Sequence, residues 1–325
     1  MPSPGSHTAD RITLARLPSG VPIETTVHTY KGRDAGPTLY VQAAQHGREV
    51  NGCEVLRRLH DRIDPTELRG KLVVVPVADP LTFDHVSYTT PEVLDSVNPN
   101  MNRVWPGDPE GTLHSRMAAR LWAYAGEADA IVDLHTGGPT MLTHVVFMEG
   151  DDDSRALAEA FGTDVLLGEE AGDEAGEEWG QRNFAGKLRV AATQEGIPSI
   201  TPELAYNKWL VEEAIEIGLR GMENVLADLD MLDRSVEENG KKILARNHLG
   251  RVQAETSGLF RAHPDRELGE PLRAGDPLGT LYDPATYEVL QEAEADREGI
   301  LYAIAREATV TAGDSLGNVA LVREK

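Results

Sequence analysis

Thr38–Leu59 reads TLYVQAAQHGREVNGCEVLRRL: an apolar run of strand length, a polar interruption at His46-Gly47-Arg48-Glu49, then apolar residues at helical spacing. The interruption has neither proline nor an Asn-Gly turn, so it reads as a strand handing over directly to a helix. The helical set is Val50, Cys53, Leu56, Leu59 and Ile63. Working outward, Ile12–Leu17, Pro22–Thr29, Leu72–Val77, Ala130–Leu134 and Thr143–Met148 are further strand-length runs. Leu113, Met117, Leu121 and Tyr124, and then Leu210, Ala214, Ile217 and Val225, repeat the helical pattern. Strands alternating with helices predict an α/β fold, a mainly parallel or mixed sheet flanked by helices. After about Gly240 the texture changes to short strand-like pieces broken by Gly, Pro and Asp. The expected division is therefore an α/β domain over 1–240 and a small all-β domain over 241–325, joined by SVEENGKK (Ser235–Lys242).

Composition narrows the function. The chain has 325 residues, 40% of them hydrophobic, which is enough for a sizeable core. Its formal net charge is −23, from 54 acidic and 31 basic residues. Such a surface repels nucleic acid and anionic membranes, so neither is expected as a partner. The N-terminal MPSPGSHTADR has no basic segment followed by an apolar one, and no run is long enough to cross a bilayer, so the expected location is the cytoplasm. A salt-rich cytoplasm fits the acidic composition, because screening weakens self-repulsion. Cys53 is the single cysteine, which leaves histidine and carboxylate as the available metal ligands. The acidic stretch Glu149–Gly180 reads as a solvated helix and loop, with a lid over the site as the competing reading.

Four segments carry the chemistry. His46 and Glu49 fall where the first parallel strand ends, the edge at which open α/β sheets bind ligands. If a helical turn begins at His46, the H-x-x-E spacing puts both side chains on one face, within reach of one metal ion. Gly47 permits an unusual backbone angle or a close approach. In ADAIVDLHTGG a second buried-looking strand ends at His135, and His46, Glu49 and His135 together make the His₂Glu set of catalytic zinc sites. Asp133 lies on the same strand face as His135, placed to orient its imidazole. In IPSITPELAYN a strand leads to Glu203, whose apolar neighbours would raise its pKa toward the range of a general acid–base. In SVNPNMNRVWPG, Arg103 is suited to polarise a carbonyl or pair with a carboxylate, while Asn98, Asn100 and Asn102 read as turn chemistry around Pro99. His7, His28, His60, His85, His114, His144, His248 and His263 lack a partner motif and read as surface or satisfied side chains, His144 being the one near the site.

The ordered set HGREVNG, NMNR, DLHTGG and TPELAY resembles the succinylglutamate desuccinylase/aspartoacylase family, whose α/β domain is similar to that of the zinc carboxypeptidases. The resemblance covers most of the chain. It implies one Zn²⁺ per chain on His46, Glu49 and His135, Asn102 and Arg103 binding or polarising the substrate, and Glu203 as catalytic acid/base. It also implies a small N-acylated amino acid or amine as substrate. Arg48 and Asn51 depart from what is common in relatives, as do the surroundings of Glu203. The competing expectations are a zinc carboxypeptidase acting on short peptides and a metal-binding member without turnover. GDPLGTLYDPATYE resembles a biotinyl/lipoyl-type hairpin without a lysine at its tip, and reads as structural or interface-forming. Strand edges in the β region are compatible with a homo-oligomer.

Overall fold

The computed structural model describes residues 5–137, 140–169, 179–180, 183–206, 208–237, 242–246 and 251–322. Gly138, Asn207, His248, much of the acidic stretch (170–178) and part of the expected linker (238–241) lie outside the described residues.

The α/β part runs β1 (Ser6–Arg16), β2 (Pro22–Lys31), β3 (Asp34–Ala43), α1 (Asn51–Arg62), β4 (Arg69–Val75), α2 (Pro80–His85), α3 (Leu113–Ala125) and β5 (Ala130–Leu134). It continues with β6 (His144–Met148), α4 (Asp152–Phe161), β7 (Val165–Glu169), α5 (Leu188–Gln194), β8 (Ser199–Glu203) and α6 (Glu212–Asp228). The sheet order is β1-β2-β4-β3-β5-β8-β6-β7. β3 is parallel to β4 and β5, and β5 to β8, so these strands end at one edge. β6 is antiparallel to β8 and begins at that edge, with His144 opposite Glu203.

The apolar runs are continuous because both sheet faces are covered. Leu39, Val41 and Ala43 of β3 and Leu72 and Val74 of β4 pack with α1, α4 and α6 on one face. Tyr40, Val73 and Val75 point the other way, into a core with α3 and α5. α1 sits close on the sheet: a Cβ at Gly52 would lie 2.8 Å from that of Leu134. The expected helices are present, although Leu210 precedes α6 and is exposed. The acidic stretch departs from its helix-and-loop reading. It contains α4 and then β7, a fully buried strand whose apolar residues are too few to stand out among their acidic neighbours.

The C-terminal strands are β9 (Ile243–Arg246), β10 (Arg251–Gln253), β11 (Gly258–Ala262), β12 (Pro271–Leu272), β13 (Pro277–Tyr282), β14 (Val289–Glu294), β15 (Gly299–Ile304), β16 (Thr309–Val310) and β17 (Ser315–Val322). Four of them form a small antiparallel sheet, β14-β13-β11-β16. This region has its own core around Phe260, Leu278, Leu281 and Leu301. The large sheet nevertheless runs on into it, β7 pairing with β9 and β9 with β17. No helix among the described residues is long and apolar enough to cross a membrane.

Candidate active site

His46 and Glu49 do not lie on a helix. α1 begins only at Asn51, and His46–Glu49 forms a tight turn closed by Glu49 N–H donating to the His46 carbonyl at 3.0 Å. The i, i+3 spacing works through a turn instead of a helical face. Gly47 is required by close approach: a Cβ there would lie 1.9 Å from the Thr82 carbonyl oxygen. Ala44 just before the turn and Ala205 just after Glu203 adopt left-handed φ values of 47° and 54°. Left-handed backbone at non-glycine residues costs free energy and is retained here where the chain leaves the sheet edge.

The turn and the end of β5 bring three side chains together. His46 Nδ1 and His135 Nδ1 each lie 2.9 Å from a different oxygen of Glu49. Donor atoms of the three residues all fall within 4.8 Å of one another, and all three residues are buried. The far ring nitrogens are also engaged. His46 Nε2 is 3.1 Å from the amide oxygen of Asn100, and His135 Nε2 is 2.8 Å from Asp133 Oδ2. Both partners accept, so in neutral imidazoles the proton resides on Nε2 and the Nδ1 lone pairs face Glu49. Gln42 and Gln45 donate to Asp133 at 2.9 and 3.0 Å, and Trp105 Nε1 donates to Gln45 at 2.6 Å, so Asp133 is itself held.

The electrostatics agree. Burial opposes charge on Glu49, yet the two histidines hold its carboxyl well below the usual range. Burial likewise opposes a proton on His135, but Asp133 and Glu49 override it and raise the pKa well above the ordinary value. Positive charge is thus favoured at this position, and a proton and a metal ion compete for it. The donor set of two imidazoles and one carboxylate fits a borderline divalent ion, zinc foremost, and the turned-out Nε2–H groups fit that use.

Glu203, at the end of β8, is half-buried on the same cavity of about 430 Å³. Burial and the Glu49 charge raise its pKa, against His135, Arg189 and Lys187, to about 7. Asn102 and Arg103 also line the cavity. The Asn102 amide oxygen accepts from Leu188 N–H at 3.0 Å and so caps α5; the Arg103 guanidinium lies 5.2 Å from the Phe184 ring centroid and donates to the Asn102 carbonyl at 2.6 Å. His144 lines the cavity with Nδ1 2.7 Å from the Leu142 carbonyl, and burial with nearby Arg189 lowers its pKa to about 4. Asn51 is structural: its side chain bonds the carbonyls of Leu204 and Tyr206 and the N–H of Val211, pinning the loop after Glu203 to α1. Arg48 lines the cavity over the Tyr88 ring, 5.1 Å from its centroid, and its buried Nε has no hydrogen-bond partner among the described residues.

Several cavity residues carried no sequence signal. Lys187 and Arg189 meet Glu169 at the end of β7; Arg189 also donates to Thr201 at 2.6 Å, and its burial lowers its pKa to about 10. Tyr88 lies on the His46 ring with centroids 4.0 Å apart. The β region contributes Arg251, Tyr302, Glu307, Ser315 and Asn318. His114, read as a satisfied side chain, sits fully buried between Asp79 and Asp95 and ties down the loop that carries Asn100–Arg103. 

The model of the succinylglutamate desuccinylase/aspartoacylase catalytic domain matches residues 35–229, the span that supplies all three of His46, Glu49 and His135. The chain belongs to this family. It is 27% identical over 306 residues to N-alpha-acetyl-L-2,4-diaminobutyric acid deacetylase from Halomonas elongata, covering 90% of this chain and 84% of that protein. The crystal structure of a family member from Rhodobacter sphaeroides superposes with a TM-score of 0.83 at 24% identity, covering 98% of this chain and 96% of the other. The product-bound ectoine utilization protein EutE (DoeB) from Ruegeria pomeroyi gives 0.84 at 23%, covering 98% and 95%. These two structures share the fold.

Proposed function

We propose that the protein is a metal-dependent deacylase, with Zn²⁺ on His46, Glu49 and His135, that hydrolyses the amide bond of a small N-acylated amino acid or related amine and releases a carboxylate. The observation that carries this reading is the convergence of His46, Glu49 and His135 beside Glu203 in one cavity. Family membership and the deacetylase activity of the Halomonas elongata relative support it. When bound, zinc would supply Lewis-acid polarisation of the scissile carbonyl and make water acidic enough to attack near neutral pH.

This chain's own residues would do the rest. Glu203, with a pKa of about 7, can accept the proton of the attacking water and return it to the departing nitrogen, the exchange a general acid–base must make near neutrality. The Arg103 guanidinium would stabilise negative charge that develops on the former carbonyl oxygen, and with Asn102 would hold the substrate. Lys187 and Arg189 are offset by Glu169 but leave positive charge in the cavity near Glu203, suited to a carboxylate of the substrate. Tyr302 and Asn318 of the β region line the same cavity, which supports a short substrate over a longer peptide.

Assay of N-acetyl, N-succinyl and N-formyl amino acids and short peptides with zinc-loaded protein tests the reading. Release of free amine from an N-acyl amino acid is expected. Cleavage of peptides alone, or equal turnover by Glu203→Gln, would overturn it.

A further inference from the structure

Away from the cavity, the fold gathers three histidines into a second cluster of possible ligands. His7 on β1 stands opposite Tyr30 on β2, and His28 is two residues before Tyr30, so all three share one face of the hairpin. His60 reaches this face from the last turn of α1. His7 Nε2 and His28 Nδ1 are 3.0 Å apart, and donor atoms of the three histidines all lie within 4.8 Å of one another. His7 and His60 are exposed and His28 is half-buried.

We propose that His7, His28 and His60 form a second metal site, which takes a borderline divalent transition ion such as Zn²⁺, Ni²⁺ or Cu²⁺. Three imidazoles without a carboxylate are a donor set for such ions and a poor one for Mg²⁺ or Ca²⁺. The rings are prearranged. His7 stacks on Tyr30 with centroids 4.4 Å apart and on His28 at 5.2 Å. Tyr30 Oη is 2.6 Å from His60 Nδ1. When that hydroxyl accepts from Nδ1–H, it fixes the tautomer in which Nε2 has a free lone pair, the arrangement by which ligating histidines are usually oriented.

Charge favours occupancy as well. The site lies at the C-terminal end of α1, where the helix dipole attracts positive charge, on a chain of net charge −23. A bound ion would fasten the β1–β2 hairpin to α1 through three bonds.

The test counts ions in full-length, metal-stripped protein equilibrated with micromolar free Zn²⁺ and then rinsed of unbound metal. His28→Ala is expected to lose one ion per chain relative to the unaltered protein, to lose the part of the Zn²⁺-induced rise in Tm that this site supplies, and to keep full deacylase activity. His46→Ala is expected to keep the surface ion, and His46→Ala/His28→Ala to bind none. His60→Gln provides an independent second variant on a different element. Equal ion counts in the unaltered protein, His28→Ala and His60→Gln would overturn the proposal, whatever the buried site binds. Failure of the buried site alone would appear instead as equal counts in the unaltered protein and His46→Ala.

Discussion

Two groups of three possible ligands occupy opposite circumstances in this molecule. Around the cavity, two histidines and a glutamate are buried, each far ring nitrogen is taken by an acceptor, and one of those acceptors is held by two glutamines. Where the hairpin meets α1, three histidines are largely exposed; His7 and His28 bond one another and a tyrosine hydroxyl bonds His60. Spacing between donor atoms is comparable. What differs is the cost of leaving the group unfilled: a buried carboxylate beside two imidazoles needs a proton or an ion, whereas exposed imidazoles are satisfied by water and stacking. The first arrangement suits an ion held in one geometry, as proposed above, and the second a cation in exchange with solvent.

Variants that separate the two groups put this contrast at risk. The largest effect is expected from Glu203→Gln, which should lower kcat by about 10²–10⁴-fold while metal content at both groups is unchanged; steady-state kinetics with metal analysis decides. His114→Ala removes a fully buried partner of Asp79 and Asp95 and should cost about 3–5 kcal/mol in denaturant unfolding, loosening the Asn100–Arg103 segment but not the hairpin. Burial opposes the charge on His114 but the two carboxylates raise its pKa above 6.5. Its contribution is therefore complete below the unfolded-state value and declines as pH rises through the folded one. The stability gap between the unaltered protein and His114→Ala should narrow at alkaline pH, and a gap that widens there would contradict the assignment. Asp133→Asn should weaken metal binding at the buried group by about 10–100-fold and leave the hairpin histidines unaffected, as read by competition with a chelator. The smallest effect belongs to His28→Ala, within about 0.5 kcal/mol in metal-free buffer, because few contacts are lost at a partly exposed position.

Much of the cavity is legible in the sequence because its chemistry sits where apolar runs stop. His46, His135 and Glu203 each follow a strand that reads as buried, and parallel strands bring their ends to one edge without further information. The turn geometry at His46–Glu49 was not legible, since the same spacing serves a helix. Asn100 looked like turn chemistry and does cap the 3₁₀ turn that begins at Met101, but the same oxygen also faces His46. Lys187, Arg189 and Glu169 gave no signal because strand β7 and helix α5 meet only through the sheet order. His7, His28 and His60 come together through hairpin register and the length of α1, neither of which leaves a motif.

The shared ladder through β9 ties one wall of the cavity to the large sheet. Tyr302 and Asn318 stand on strands hydrogen-bonded, by way of Arg246–Leu321 and Ala245–Val322, to the same sheet that ends in Glu203. Swinging that wall outward would break backbone rungs, so in the proposed deacylase it would serve as a fixed ruler and not a jaw. Preference for one acyl or amine length over another would then be rewritten by changing side-chain reach at Tyr302 or Asn318, with the backbone left as it is.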